Sequence, residues 1–221
     1  MLLLALLSTL LSAHAEAQTV KQSSRFVIAR IKYSGGGDWY NDPSSEINML
    51  RFLKEHTNID VDVRNEVYVD AGSEKLFGYP FAFMTGHGNI SLTDQEVRSL
   101  RAYMLNGGFL YVDDDYGFDQ PFRRELKKIF PDKELVEVPF SHPVYHSHFQ
   151  FPNGLPKIHE HDGKAPQGFA ILHEGRIVLF YTYESNLADG WADPEVHGDP
   201  EPVRQKSLEM GTNIIVYALT K

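Results

Sequence analysis

The stretch Phe109-Leu-Tyr-Val-Asp-Asp-Asp-Tyr-Gly117 decides the fold. It follows a helix stop at Gly107-Gly108, runs apolar through Val112 and then changes abruptly to Asp113, Asp114 and Asp115. A short apolar run bounded by turn signals, next to helical patterns, reads as a buried strand of a parallel sheet. Open α/β sheets bind ligands in the crevice beyond the carboxyl ends of their strands. Three acids at that point are either one wall of a site or a solvated turn with one Asp capping the next helix. Partly buried carboxylates in a row repel and need a cation or donors, which favours the wall.

Outward from this strand the pattern alternates. Upstream, Thr93-Asp-Gln-Glu96 is a capping box ahead of Val97, Leu100, Tyr103 and Met104, and that helix stops at Asn106-Gly107-Gly108. Residues 26–33 have strand composition, Asp42-Pro43 opens a helix with Pro in its first turn, and Ile47, Leu50, Phe52 and Leu53 give that helix an apolar face. Residues 58–64 alternate with period two as a second strand, and 81–85 form a third ending in Gly86-His87-Gly88. Downstream, 121–130 is a helix with Phe122, Leu126 and Ile129 inward. This β-α-β-β-α-β-α succession predicts a three-layer α-β-α fold with a mostly parallel central sheet. Residues 135–138 are a further possible strand, and 139–168 are helix-poor. Residues 169–183 form a hairpin turning at Glu174-Gly175, a loop-rich β-hairpin insertion. An acidic loop over 184–202 leads to an amphipathic helix over 203–219, with Leu208, Ile215 and Leu219 on one stripe. Residues 26–221 read as a single α/β domain.

Composition narrows the function classes. The chain has 221 residues, a net charge of −9 and no basic run longer than Arg123-Arg124 or Lys127-Lys128, which argues against a nucleic-acid partner. Cysteine is absent, which removes disulfides, thiolate zinc sites and a Cys nucleophile. Residues 1–17 read as a signal peptide with an A-x-A cleavage site after Ala15 or Ala17, followed by a polar tether over 18–25. The leader is too short to span a bilayer, so the expectation is a periplasmic or secreted protein with no transmembrane helix after signal removal.

Each strand end carries something polar. The first delivers Gly36, Gly37, Asp38, Trp39 and Tyr40, the third His87, the opening strand Asp113, Asp114 and Asp115, and the hairpin Tyr183 and Glu184. The glycines permit close backbone approach, but there is neither G-x-G-x-x-G nor a Walker lysine, so no nucleotide cofactor is expected. His87, between two glycines, is a candidate general base or a histidine bonded in a turn. Five of the ten histidines, His142, His146, His148, His159 and His161, lie within about twenty residues. In extended segments His146 and His148 share a face, as do His159 and His161. Pairing those segments would gather imidazoles for zinc, copper or iron; the alternative is a set of loop histidines in structural hydrogen bonds. Residues 181–186 with Asp189-Gly190-Trp191 form a third polar cluster, without the G-x-S-x-G elbow of a serine nucleophile.

Five motifs together, Gly36-Gly37-Asp38-Trp39-Tyr40, Tyr79-Pro80-Phe81 with Met84 to Gly88, Gly107-Gly108-Phe109 with Asp113 to Gly117, Leu155 to Gly163, and Tyr181 to Ser185, resemble the bacterial domain of unknown function 4159 family. The resemblance runs from about Phe26 to the C-terminus and implies a class I glutamine amidotransferase-like, flavodoxin-like fold. It transfers no activity, and the wider superfamily's catalytic Cys has no counterpart here.

Two readings follow. In one, a metal-binding crevice supports metal-dependent hydrolysis, with His87, Asp114 and Glu184 in catalytic roles and the five loop histidines as ligands. In that reading Gly36, Gly37, Asp38, Trp39, Tyr40, Asp113, Asp115, Tyr183 and Trp191 contact the ligand. In the other, the domain is non-catalytic and binds a small molecule, carbohydrate, peptide or cell-envelope partner, with Trp39, Tyr40, Tyr183 and Trp191 as stacking surfaces.

Overall fold

The strand 109–117 opens is the central one of seven. The computed structural model describes residues 25–159 and 161–221, so the expected leader and most of the tether lie outside the described residues. The sheet order is β2-β1-β3-β4-β7-β6-β5, with β1 Ala29–Lys32, β2 Val67–Asp70, β3 Phe81–Met84, β4 Phe109–Asp113, β5 Val136–Glu137, β6 Gln167–His173 and β7 Arg176–Tyr183. Strands β2, β1, β3, β4 and β7 run parallel; β6 pairs antiparallel with β7, and β5 antiparallel with β6.

The middle strands are buried on both faces, so their residues are apolar throughout but alternate in kind. Phe81, Phe83, Phe109 and Tyr111 face one core, which also takes α1 (Ser45–His56), α4 (Leu187–Trp191) and α6 (Glu201–Thr220). Ala82, Met84, Leu110 and Val112 face the other, against α2 (Asp94–Leu105) and α3 (Asp119–Ile129). Three layers result, as the βα succession requires.

Helix α1 leaves β1 toward one face, while α2 leaves β3 toward the other. The chain therefore reverses its winding between β1 and β3, the topological switch point of a doubly wound sheet. The loops after those strands are tied together there: the Ser91 N–H donates to the Ser34 carbonyl at 2.9 Å, and the His87 N–H donates to the Asp38 carboxylate.

Local signals that need no tertiary help are realised. Thr93 accepts from the Glu96 N–H while the Glu96 carboxylate accepts from the Thr93 N–H, so both arms of the capping box form. Glu174 and Gly175 both have positive φ, 50° and 77°, as a tight two-residue hairpin turn requires.

Three expectations are corrected. Residues 58–64 form no strand: only Val61 bridges Phe26, and the Asp62 carboxylate then turns the chain by accepting from the Arg64 N–H. The second strand is β2, an edge strand in which Val69 alone is buried, which is why its alternation is weak. Residues 184–202 are not one loop but carry α4 and α5 (Pro194–His197). Helix α6 is buried nearly all round rather than on one stripe, because the sheet, α1, α4 and the 143–149 segment all pack on it; Leu208 and Ile215 are inside, but Leu219 is 36% exposed.

Candidate functional site

Beyond the carboxyl ends of β1, β3, β4 and β7, carboxylates and imidazoles converge. Asp42, Asp115 and Asp189 each place an oxygen within 4.8 Å of the others, and His159, Asp189 and His197 do the same with their ligand atoms. Asp189 belongs to both groups. Around them, His197 Nε2 lies 2.9 Å from Asp42 Oδ1, and His159 has Nδ1 2.6 Å from Asp189 Oδ2 and Nε2 2.9 Å from Asp199 Oδ1. His87 bridges Asp38 (Nδ1, 3.0 Å) and Asp115 (Nε2, 3.1 Å). His161 stands 3.8 Å from both Asp114 and Asp115.

The chain holds this arrangement with buried polar anchors. Arg30, the one charged residue of β1 that points into a core, pairs with Glu46 of α1 and donates to the backbone oxygens of Trp39, Asn41 and Asp42. That fixes the loop carrying Asn41 and Asp42, and Asn41 Nδ2 in turn donates to Asp115 at 2.9 Å. On the other side the Asn186 amide donates to both Asp115 (3.2 Å) and Asp189 (2.9 Å). Four described non-glycine residues have positive φ; Glu174 is the hairpin turn, and Asp42, Glu184 and Asn186 all lie here. Backbone strain of this kind costs on the order of 1–3 kcal/mol per residue and persists where surroundings impose it.

Protonation follows from the pairing. Hydrogen bonding to Asp115, helped by Asp38 and opposed by burial, raises the His87 pKa to about 9. His159 is likewise raised to about 9, first by its hydrogen bond to Asp189 and also by Asp199. Burial pulls His161 down, but the Asp114 and Asp115 carboxylates win and leave it raised. Burial raises Asp114, only partly offset by His161, whereas at Asp115 the opposing burial is overcome by His87 and the carboxyl is lowered. Among buried side-chain atoms, one oxygen each of Asp114, Asn186 and Asp199 has no hydrogen-bond partner.

The three consecutive acids take three different roles. Asp113 accepts from Thr182 Oγ1 and from the Ala188 N–H at 2.7 Å, while Thr182 Oγ1 also meets the Tyr111 hydroxyl at 3.0 Å. It is a buried cap for α4, with its pKa raised to about 7 by burial. Asp114 turns toward His161, and Asp115 toward His87 and Asn186.

Other expected residues are placed elsewhere. His142, His146 and His148 do not join His159 and His161. The His142 ring accepts from the Val144 N–H and packs on Tyr217, His146 meets the Phe140 carbonyl and Gln150, and the His148 N–H donates to Asn213 on α6. Neutral partners and helix α6 fix that segment, and among the described residues none of the three enters a ligand group. Trp191 is not a stacking surface. It is fully buried against Phe83 and Tyr111, where Gly211 of α6 leaves room for its ring. Glu184 is a buried clamp for the 157–164 loop, accepting from Lys157 and from the Asp162 and Lys164 N–H groups; burial opposes these donors, which still hold its carboxyl below the ordinary value. The Tyr183 hydroxyl bonds Lys164, and its ring sits beside Arg123. A side chain on Gly37 would strike Asn89 O and the Tyr33 hydroxyl, so that glycine serves the close packing of the loops after β1 and β3; Gly36 has φ +90° and open space around it. Trp39 packs on Tyr68 and Lys32, and Tyr40 is exposed.

Asp42, Asp189, His197, Asp199 and the anchors Arg30, Asn41 and Asn186 are the members that strand-end reasoning misses. Two signals were present: the polar cluster of residues 181–186 with Asp189, which holds Asn186 and Asp189, and a lone Arg in the apolar run Phe26-Val-Ile-Ala-Arg30-Ile, which needs a buried partner.

Fold and site together define a doubly wound α/β protein whose switch-point crevice is lined by acids and imidazoles. The chain belongs to the family described as Domain of unknown function (DUF4159), whose model matches residues 27–219. No curated protein matches it. No helix among the described residues is long and apolar enough to cross a membrane.

Proposed function

We propose that this is a secreted or periplasmic metal-dependent hydrolase whose crevice holds a divalent transition-metal ion on His159, Asp189 and His197. The observation that carries the reading is this triad, with its ligand atoms within 4.8 Å, together with Asp199 on the far nitrogen of His159. Two imidazoles and a carboxylate leave a position open on zinc, and a carboxylate behind a ligating histidine fixes its ring and tautomer. An ion bound there would supply a water acidic enough to act as a nucleophile near neutral pH. His87, oriented by Asp38 and held protonated, donates a proton to the leaving group. Asp114 accepts one: burial favours its neutral form, and one of its oxygens is unpartnered.

A second reading rests on the exposed rings of Tyr40 (61%) and Tyr116 (66%), the latter 6.2 Å from the His161 ring. They offer stacking surfaces to a carbohydrate or peptide, and a non-catalytic binding domain would use them without turnover.

Metal analysis of the purified protein tests the first reading. At a zinc concentration about 100 times Kd, binding contributes about 2.7 kcal/mol, which raises Tm by roughly 5–10 °C for a chain of this size. Less than about one tenth of an equivalent of zinc, copper or iron, with melting unchanged on adding each, overturns it. Export is tested separately by mass spectrometry of the mature N-terminus, which should be Glu16 or Gln18.

A further inference from the structure

We infer that a cleft beside the crevice, walled by Lys32, Trp39, Asp70, Ser73, Gln95 and Glu96, is a binding site for a neutral saccharide. The inference does not rest on the metal reading, and its aromatic surface is neither of the exposed tyrosines invoked above. The cleft lies at the carboxyl ends of β1 and β2, against the start of α2, and its volume of about 520 Å³ is that of a small-molecule site. Trp39 follows Asp38, the partner of His87, so one loop serves both the cleft and the crevice.

The charges of the cleft select the ligand class by exclusion. Lys32 Nζ stands 3.4 Å from the Asp70 carboxylate and 5.5 Å over the Trp39 ring. The cleft thus carries its own cation on its own aromatic face and repels an added one. Glu96 accepts from the Ser34 N–H and hydroxyl, both at 3.0 Å, and from the Thr93 N–H at 2.7 Å and hydroxyl at 2.9 Å. A carboxylate has about four lone-pair sites, so Glu96 has none left for a metal ion. An anion would meet the charges of Asp70 and Glu96, while the capping box already uses the Glu96 N–H at the start of α2. A wholly apolar ligand would strand Lys32, Asp70 and Ser73. A ligand with a hydroxyl rim and C–H faces meets none of these penalties.

The remaining polar atoms stand on fixed arms. Gln95 Nε2 donates to the Gly72 carbonyl at 2.9 Å, which orients the amide and leaves Oε1 as an acceptor. A Cβ on Gly72 would stand 3.3 Å from Gln95 Cγ, so this arm lies close against the turn. Ser73 Oγ accepts from the Lys75 N–H at 3.2 Å and keeps its proton for donation. The Ala71 N–H donates to the Lys32 carbonyl at 2.9 Å and ties the ends of β1 and β2 together. Trp39 is half-buried and meets Tyr68 edge-on, with centroids 5.8 Å apart. Donor, acceptors and indole are therefore ordered before a ligand arrives, which lowers the cost of binding. A sugar ring packs its C–H face on the indole and turns its hydroxyls to Gln95, Ser73 and Asp70.

The test titrates the full chain, stripped of metal by chelator, with cellotetraose, maltotetraose, chitotetraose and mannotetraose, followed by calorimetry and tryptophan fluorescence. The chain has two tryptophans and Trp191 is fully buried, so a sugar-dependent change in emission reports on Trp39. At least one tetrasaccharide should bind with a Kd of about 1 mM or tighter. Trp39→Ala should weaken it at least about tenfold, Trp39→Phe less because a ring remains, and Gln95→Ala about three- to tenfold. No heat and no emission change with any of the four at about 10 mM overturns the inference and leaves the zinc reading standing. Binding unaltered in both Trp39→Ala and Gln95→Ala places the sugar elsewhere and overturns the site; its loss in Tyr116→Ala instead assigns it to the exposed tyrosines. Displacement of the sugar by an equal concentration of inorganic phosphate overturns the neutral class. Sugar binding to a chain that takes up no zinc supports the cleft and overturns only the metal reading. The wild-type titration and Trp39→Phe decide the matter even where Trp39→Ala fails to fold, which circular dichroism would reveal.

Discussion

Two histidine-bearing regions of this chain have the same residue type and opposite fates. In the 142–148 segment the imidazoles face backbone carbonyls, an amide and aromatic rings, and the segment is tied to α6 through Asn213, which accepts from the His148 and Phe149 N–H groups and donates to the Tyr145 and Phe149 carbonyls. At the crevice His87, His159, His161 and His197 each face carboxylates. Local sequence does not separate them; the partners that the fold supplies do. A histidine among neutral acceptors is a wedge in a loop, and one among acids is a cation or a ligand in waiting.

The comparison can be broken first at its anchors. Arg30→Met leaves Glu46 buried and unpaired and frees the loop that carries Asp42, so urea unfolding should show a loss of about 3–5 kcal/mol. Zinc-induced stabilisation should fall with it. Asn213→Ala strands three backbone groups but no charge, since the Tyr145 carbonyl keeps the Phe151 N–H, and a smaller loss of about 2–4 kcal/mol is expected, with zinc-induced stabilisation retained. If Asn213→Ala abolishes the zinc effect, the two regions are not independent.

A pH series on metal-free protein should separate the regions by sign. His159 has a folded pKa of about 9, above its ordinary 6.5, so its stabilisation is fully present below pH 6.5 and is lost as pH rises toward 9. His142 is lowered by burial, so in its case the unfolded chain takes the proton first and stability is lost as pH falls through 6.5. The melting difference between wild type and His159→Ala should shrink from pH 6.5 to 9. That between wild type and His142→Asn should change below 6.5 instead. The smallest effect is assigned to His146→Ala, whose side chain is half-exposed: stability within about 0.5–1 kcal/mol of wild type and unchanged metal content. A loss of metal in that variant would return the 142–148 segment to the site.

The sequence made the frame legible wherever the signal was local. The abrupt change at Val112-Asp113, the Thr93–Glu96 box and the Glu174-Gly175 turn each carry their own geometry, and all three appear where expected. Strand β2 was hidden because an edge strand with one buried side chain has little pattern to read. Half of the site was visible, Asp38, His87 and Asp115 at strand ends and His159 and His161 in the histidine-rich segment. The rest was not, since Asp42 lies after β1, Asp189 in α4, His197 at the end of α5 and Asp199 just beyond it, and only tertiary packing brings them together. Trp191 misled because Asp189-Gly190-Trp191 reads as part of a polar cluster in an acidic loop; its burial depends on Gly190 and Gly211, which let α4 and α6 approach closely.

Far from the crevice, a cleft of about 570 Å³ at the opposite ends of the parallel strands is lined by Arg25, Phe26 and Val27 together with Leu219. Residues 25 and 219 therefore lie at one end of the parallel strands, and the acids and imidazoles lie at the other. A short linker from residue 221 to residue 25, with new ends cut at the exposed Glu174-Gly175 tip, should give a circular permutant with the crevice intact. The same polarity means that either end can be fixed to a solid support while the acids and imidazoles still face the solution.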